Sequence, residues 1–129
     1  SDGVDIENEL TVEGNTNADG NLFTGGYQAY SVTETLTGAG GSNAISVTNG
    51  VTFLNTGSGT ATLTIADGVV GQIKHIIMVV AGNNATLSNT NVNVATQILF
   101  NAVGETATLM FDTTTNKWNV LAVNGATIS

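Results

Sequence analysis

Ala61-Thr62-Leu63-Thr64-Ile65 alternates apolar and hydroxyl-bearing side chains at every step. Successive side chains of a β-strand point to opposite faces, so this run puts Ala61, Leu63 and Ile65 on one face and two threonines on the other. Ala107-Thr108-Leu109-Met110-Phe111 repeats the pattern, with Ala107, Leu109 and Phe111 together. Lys74 to Val80 is rich in β-branched residues and nearly all apolar, which predicts a central strand buried on both sides. In the last long run Trp118, Val120 and Ala122 alternate with Asn119, Leu121 and Val123, so both of its faces are apolar in part. A helical period is almost absent.

The connections carry the same message. Asn49-Gly50 lies between Ile45-Ser46-Val47-Thr48 and Val51-Thr52-Phe53-Leu54, the arrangement of a two-residue hairpin whose central positions need positive φ. Asp67-Gly68, Gly82-Asn83-Asn84 and Asn124-Gly125 mark further turns, and Asp112 to Asn116 joins the last long pair of strands. Strands recurring about every 8–12 residues predict a sandwich or barrel. The expected fold is therefore all-β: an antiparallel, jelly-roll-like β-sandwich over residues 27–129, preceded by an extended acidic arm or short stalk over residues 1–26. The composition changes between Leu22 and Tyr27. With no proline in the chain, every turn falls to Gly, Asn or Asp, and every backbone N–H is free for a ladder.

Composition narrows the function. Of 129 residues only 9% are charged, against 41% hydrophobic, where about a quarter charged is usual. The polar surface must come from Thr, Asn, Ser and Gly. Ten carboxylates face only Lys74 and Lys117, giving a net charge of −8. Nucleic acids and anionic membranes are bound through Lys and Arg, so neither is an expected partner. Six of the acids (Asp2, Asp5, Glu7, Glu9, Glu13 and Asp19) crowd the first twenty residues. There is no cysteine, hence no disulfide, thiolate metal site or Cys nucleophile. The longest apolar run, Ile73 to Ala81, contains Lys74 and His75 and falls short of the ~18 residues of a membrane span. No basic stretch followed by an apolar one opens the chain, and the Ser1 start suits a processed product or an excised fragment.

Few residues could carry chemistry. Asn15, Asn17, Asp19 and Gly20 match the first half of a calcium loop, but Gly26 stands where the closing carboxylate belongs, so a solvated Asx-rich turn is the default. His75 is the lone imidazole, in an apolar strand, and reads as a hydrogen-bonded structural residue. Glu34, Asp67, Glu105 and Asp112 are the only acids after Gly20, and they read as solvated turn acids rather than a hydrolytic pair. Trp118 belongs to a core or an interface. Tyr27 and Tyr30 are the better candidates for contact with a glycan or partner. No enzymatic activity is expected.

Gly71-Gln72-Ile73-Lys74-His75-Ile76-Ile77, an Asn/Thr segment, Ile98-Leu99-Phe100, Gly104-Glu105-Thr106-Ala107-Thr108-Leu109 and Asn116-Lys117-Trp118-Asn119-Val120-Leu121 together resemble a module of bacteriophage virion surface proteins. Such modules are similar to the distal domains of tail fibres and other appendages, notably in cyanophages. The stretch Ile6 to Thr16 resembles the repetitive stalk that precedes such heads. The resemblance implies a homotrimer on the virion surface, either a fibre or spike head or a capsid decoration protein. It would touch other virion proteins and a host glycan or surface protein, in a mechanical or adhesive role. It carries over no catalytic residue, and no cofactor is expected beyond the calcium that the pattern of residues 15–20 could hold. The alternative is a monomeric bacterial cell-surface adhesin or carbohydrate-binding module.

Overall fold

The computed structural model describes residues 7, 11–14, 25–30 and 32–129. Its ten strands are β1 (Glu34–Thr37), β2 (Ser42–Ile45), β3 (Val51–Asn55), β4 (Ala61–Ile65), β5 (Ile73–Val80), β6 (Ala85–Ser88), β7 (Gln97–Phe100), β8 (Thr106–Asp112), β9 (Lys117–Asn124) and β10 (Thr127–Ile128). They form two five-stranded sheets, ordered β1-β3-β5-β8-β9 and β10-β7-β6-β4-β2. Among the described residues no helix forms. The all-β, two-sheet class expected from the sequence is the one found.

Through β6 the chain visits the two sheets in strict alternation, so β1–β2, β3–β4 and β5–β6 are three successive coils. Each strand pairs in parallel with its counterpart in the next coil. Parallel partners share a face, which stacks like on like. Leu36, Leu54 and Met78 line up across the first sheet. Asn43, Leu63 and Leu87 line up across the second, as do Ile45 with Ile65 and Ala61 with Ala85. From β7 onward pairing turns antiparallel: β7 closes on β6, β10 on β7, β8 on β5, and β9 on β8. Phe100 and Ile98 extend the second sheet's stacks, while Ala107, Leu109, Phe111 and Trp118 complete the core from the first sheet. At about 25 cal/mol per Å² of apolar surface buried, these stacks are the main stabilising term.

Several expectations need correction. The antiparallel order holds only from β7 onward, because a period-2 alternation fixes which face a residue takes but not the direction of its neighbour. Asn49-Gly50 makes no hairpin: β2 and β3 lie in different sheets, and neither residue has positive φ. The β8–β9 hairpin does form at Asp112 to Asn116, with Asn116 at φ 51°. Lys74 to Val80 is central in its sheet but buried on one face only. Lys74, Ile76 and Met78 point inward, His75 and Ile77 are half-buried, and Val79 and Val80 are exposed. β9 is an edge strand whose second half is exposed, so its second apolar face meets solvent.

Candidate functional site

The two outer faces differ. On the second sheet, register places Ser42, Thr62, Thr86, Leu99 and Thr127 in one outward row and Ala44 with Thr64 in the next, a face dominated by hydroxyls. On the first, the outward rows join Val51 to His75 and Thr108, Phe53 to Ile77 and Thr106, and Ile73 to Met110. The same rows also take in Thr35, Asn119, Ala122 and Asn124, so this face mixes polar side chains with apolar ones, of which Ile73 and Val79 are each 39% exposed.

Tyr30 lies across this face. Its ring covers Gly50 so closely that a Cβ there would come within 2.3 Å of Tyr30 Cε1. The ring centroid stands 6.0 Å from that of His75, tilted by 60°. His75 Nδ1 pairs with Thr108 Oγ1 across the β5–β8 register at 3.1 Å. The imidazole is thus oriented by its neighbour strand, as expected of a structural histidine, with Nε2 as its other polar atom. Gln28, Ala29, Tyr30 and His75 line an open depression. An aromatic face, an imidazole edge and a carboxamide there suit a hydroxyl-rich or peptide ligand better than bond cleavage. Tyr27, next to Gln28 in the chain, is 93% exposed and does not line it.

Beneath the same sheet, the inward side chain of Lys74 is buried and donates from Nζ to the carbonyls of Ser46 (2.8 Å) and Asn49 (2.6 Å). It therefore ties down the β2–β3 crossover. Burial holds its pKa below the usual lysine value, and the charge of Glu34 offsets this in part. Glu34 receives the Thr52 hydroxyl at 2.6 Å and the backbone N–H of Ser46.

The acids do not behave alike. Asp112 fits the turn-acid reading, since it receives the N–H groups of Thr114 and Thr115, which lower its pKa. Asp67, in the loop after β4, receives the side-chain N–H of Asn91 from the loop after β6. Glu105, by contrast, is buried and receives the N–H of Asn101, and Glu34 lies within β1, so neither is a solvated turn acid. Each acid organises local backbone or a neighbouring side chain. Trp118 is fully buried, edge-on to Phe111 at 5.4 Å, and donates Nε1–H to the Ala66 carbonyl at 2.8 Å. That settles it as core.

Asn15, Asn17 and Asp19 lie outside the described residues. Among the described residues no group of three or more His, Asp or Glu is placed to hold a metal ion, and no helix is long and apolar enough to cross a membrane. Sequence reasoning singled out Tyr30 but missed its partners, Gly50 and His75, which lie far along the chain. It also missed the inward turn of Lys74, although the phase Lys74, Ile76, Met78 was there to be read.

No protein-family model matches the chain, and no curated protein does. Among solved structures, one described as a chaperone-substrate complex superposes with a TM-score of 0.55 at 18% identity, over 74% of this chain. The chain spans 19% of that protein's length. At this identity the likeness concerns the fold alone.

Proposed function

We propose that the chain is a structural module of a bacteriophage particle surface, working as a homotrimer in a mechanical or adhesive role. The observation that carries this reading is the difference between the two outer faces. A hydroxyl-lined sheet face is at ease in water, whereas the face carrying Phe53, Ile73, Ile77, Val79 and Met110 is that of a surface meant to be covered. Closed cyclic symmetry covers such a face without leaving an open-ended contact. The low charge of the chain limits repulsion between closely packed copies. The resemblance of residues 71–121 to phage appendage modules points to the same setting.

A second reading is favoured by the Tyr30–His75 depression: a monomeric adhesin or carbohydrate-binding module that stacks a sugar there. The two readings claim the same sheet face and exclude one another on it. Light scattering on the intact chain tests the first. A mass near three times 13.1 kDa is expected, falling to the monomer in Ile77→Asp. A monomer at tens of micromolar overturns the trimer. Glycan binding by such a monomer, lost in Tyr30→Ala, would establish the second.

A further inference from the structure

The sequence holds the pair Asn-Gly twice, at Asn49-Gly50 and Asn124-Gly125. This pair carries a chemistry of its own. Glycine has no Cβ to keep its main-chain nitrogen away from the side chain before it. That nitrogen can lose its proton to hydroxide and attack the asparagine Cγ; the N–Cγ bond forms, the Cγ–Nδ2 bond breaks, and ammonia leaves. Water then opens the resulting succinimide at either carbonyl, giving aspartate or isoaspartate. Only water is consumed, and nothing is oxidised or reduced. Among the described residues neither asparagine's side-chain amide has a hydrogen-bond partner, so the main chain decides which pair reaches the geometry of attack.

The two pairs are held differently. Around Asn49-Gly50 the main chain is pinned on every side. The Asn49 carbonyl accepts from Lys74 Nζ at 2.6 Å, the Asn49 N–H is donated to Ser46 Oγ at 3.3 Å, and the Gly50 carbonyl accepts the His75 N–H at 2.9 Å. The Tyr30 ring lies on Gly50, and both residues of the pair are half-buried. Turning Gly50 N toward Asn49 Cγ would strip a buried lysine of a partner. Asn124 and Gly125, by contrast, are both exposed. Asn124 is the last residue of β9, and its pairing with Thr106 is the final one of the β8–β9 ladder. Ladder ends open at little cost, whereas core strands open only with much of the molecule. Beyond that rung Gly125 turns at φ 75°, and its N–H has no backbone partner among the described residues.

We propose that Asn124-Gly125 is a site of self-modification, converted through the succinimide to isoaspartate and aspartate, and that the fold spares Asn49-Gly50. The position gives the conversion a structural consequence. Asn124 ends a strand of the first sheet and Thr127 begins one of the second, so residues 125–126 alone carry the chain across. Ala126 is buried, and Gly125 packs so near Glu105 that a Cβ would stand 2.9 Å from its Cγ. An isoaspartyl link routes the main chain through the former side chain, lengthens this tight crossing and leaves a carboxylate beside it. β10 is thereby loosened from β7, where Ser129 accepts the Gln97 N–H at 2.9 Å and donates to the Gln97 carbonyl at 3.0 Å.

Peptide mapping of the full chain after incubation in mildly alkaline buffer tests this, because cleavage after Lys74 and Lys117 puts Asn49 and Asn124 in different peptides. Asn124 should convert about tenfold faster than Asn49, with isoaspartyl and aspartyl forms resolved by their retention. In denaturant the two rates should converge, since the same dipeptide is then free at both sites. The Gln97 amide should exchange faster in the converted chain than before incubation. Asn124→Gln, which closes no such ring at a comparable rate, should keep its slow exchange through the same treatment. Equal rates at the two sites of the folded chain, or a faster Asn49, overturn the proposal. Unchanged Gln97 exchange in the converted chain overturns the loosening of β10. Neither readout depends on oligomeric mass, so this proposal and the trimer can fail independently.

Discussion

The coils β1–β6 and the closing strands β7–β10 use the same residues to opposite ends. In the coils every strand stacks in parallel on its counterpart, so like side chains repeat from one coil to the next. In the closing part β7 and β8 reverse direction, and β9 and β10 leave edges that are short or exposed. Parallel stacking suits repetition, and antiparallel return suits termination.

The joint between the two parts is the most sensitive place to break this contrast. Trp118 comes from the closing part, yet its Nε1–H meets the Ala66 carbonyl after β4, and its strand bridges to Val92. Trp118→Ala should cost about 3–5 kcal/mol, read as a lowered midpoint in denaturant unfolding. The same loss in Trp118→Phe, which keeps an aromatic ring but has no N–H, would shift weight from the indole volume to the hydrogen bond with Ala66.

Gly50 comes next. Its lack of a side chain admits the Tyr30 ring rather than a positive φ. Gly50→Ala should cost about 1–3 kcal/mol by overpacking. Because Tyr30→Ala removes the obstacle, the double variant should recover most of that loss in a thermal-melt cycle. Full additivity would mean that the ring does not rest there.

Lys74 gives a pH signature. A lysine whose folded pKa is lowered binds fewer protons folded than unfolded, so stability rises with pH from its folded pKa up to about 10.5 and then levels off. Unfolding midpoints measured from pH 7 to 11 should climb in the intact chain. In Lys74→Met that slope should be absent, at an overall cost of about 1–3 kcal/mol for the abandoned Ser46 and Asn49 carbonyls. The smallest effect belongs to Asp112, half-buried at the end of β8, where it receives the N–H groups of the turn. Its lowered pKa adds stability above the ordinary carboxylate value that is lost as pH falls through the folded one. Asp112→Ala should flatten the acid limb slightly and leave neutral pH nearly unchanged.

Strand positions and inward faces were legible because they are local: Ala61 to Ile65 and Ala107 to Phe111 bury the residues their alternation assigns. The β8–β9 hairpin was legible too, since Asp112 to Asn116 carry its turn chemistry. Partner and direction were not. The coil repeat is hidden by uneven crossovers, for register sets Glu34 opposite Thr52, 18 residues on, but Val51 opposite His75, 24 residues on. Asn49-Gly50 misled because its flexibility serves a crossover between sheets. The candidate site was legible only as Tyr30. Its packing on Gly50 and nearness to His75 depend on which strands become neighbours, and alternation does not report that.

Through-space NMR contacts between α-protons report strand direction directly, because facing α-protons approach closely in antiparallel pairs, where Cα atoms of non-hydrogen-bonded partners come to about 4.5 Å. Coils closed by antiparallel strands require such contacts between β6 and β7 and between β8 and β9, and none between β3 and β5 or β4 and β6. Close α-proton contacts across Asn49-Gly50, between β2 and β3, would restore the hairpin and contradict the coiled arrangement.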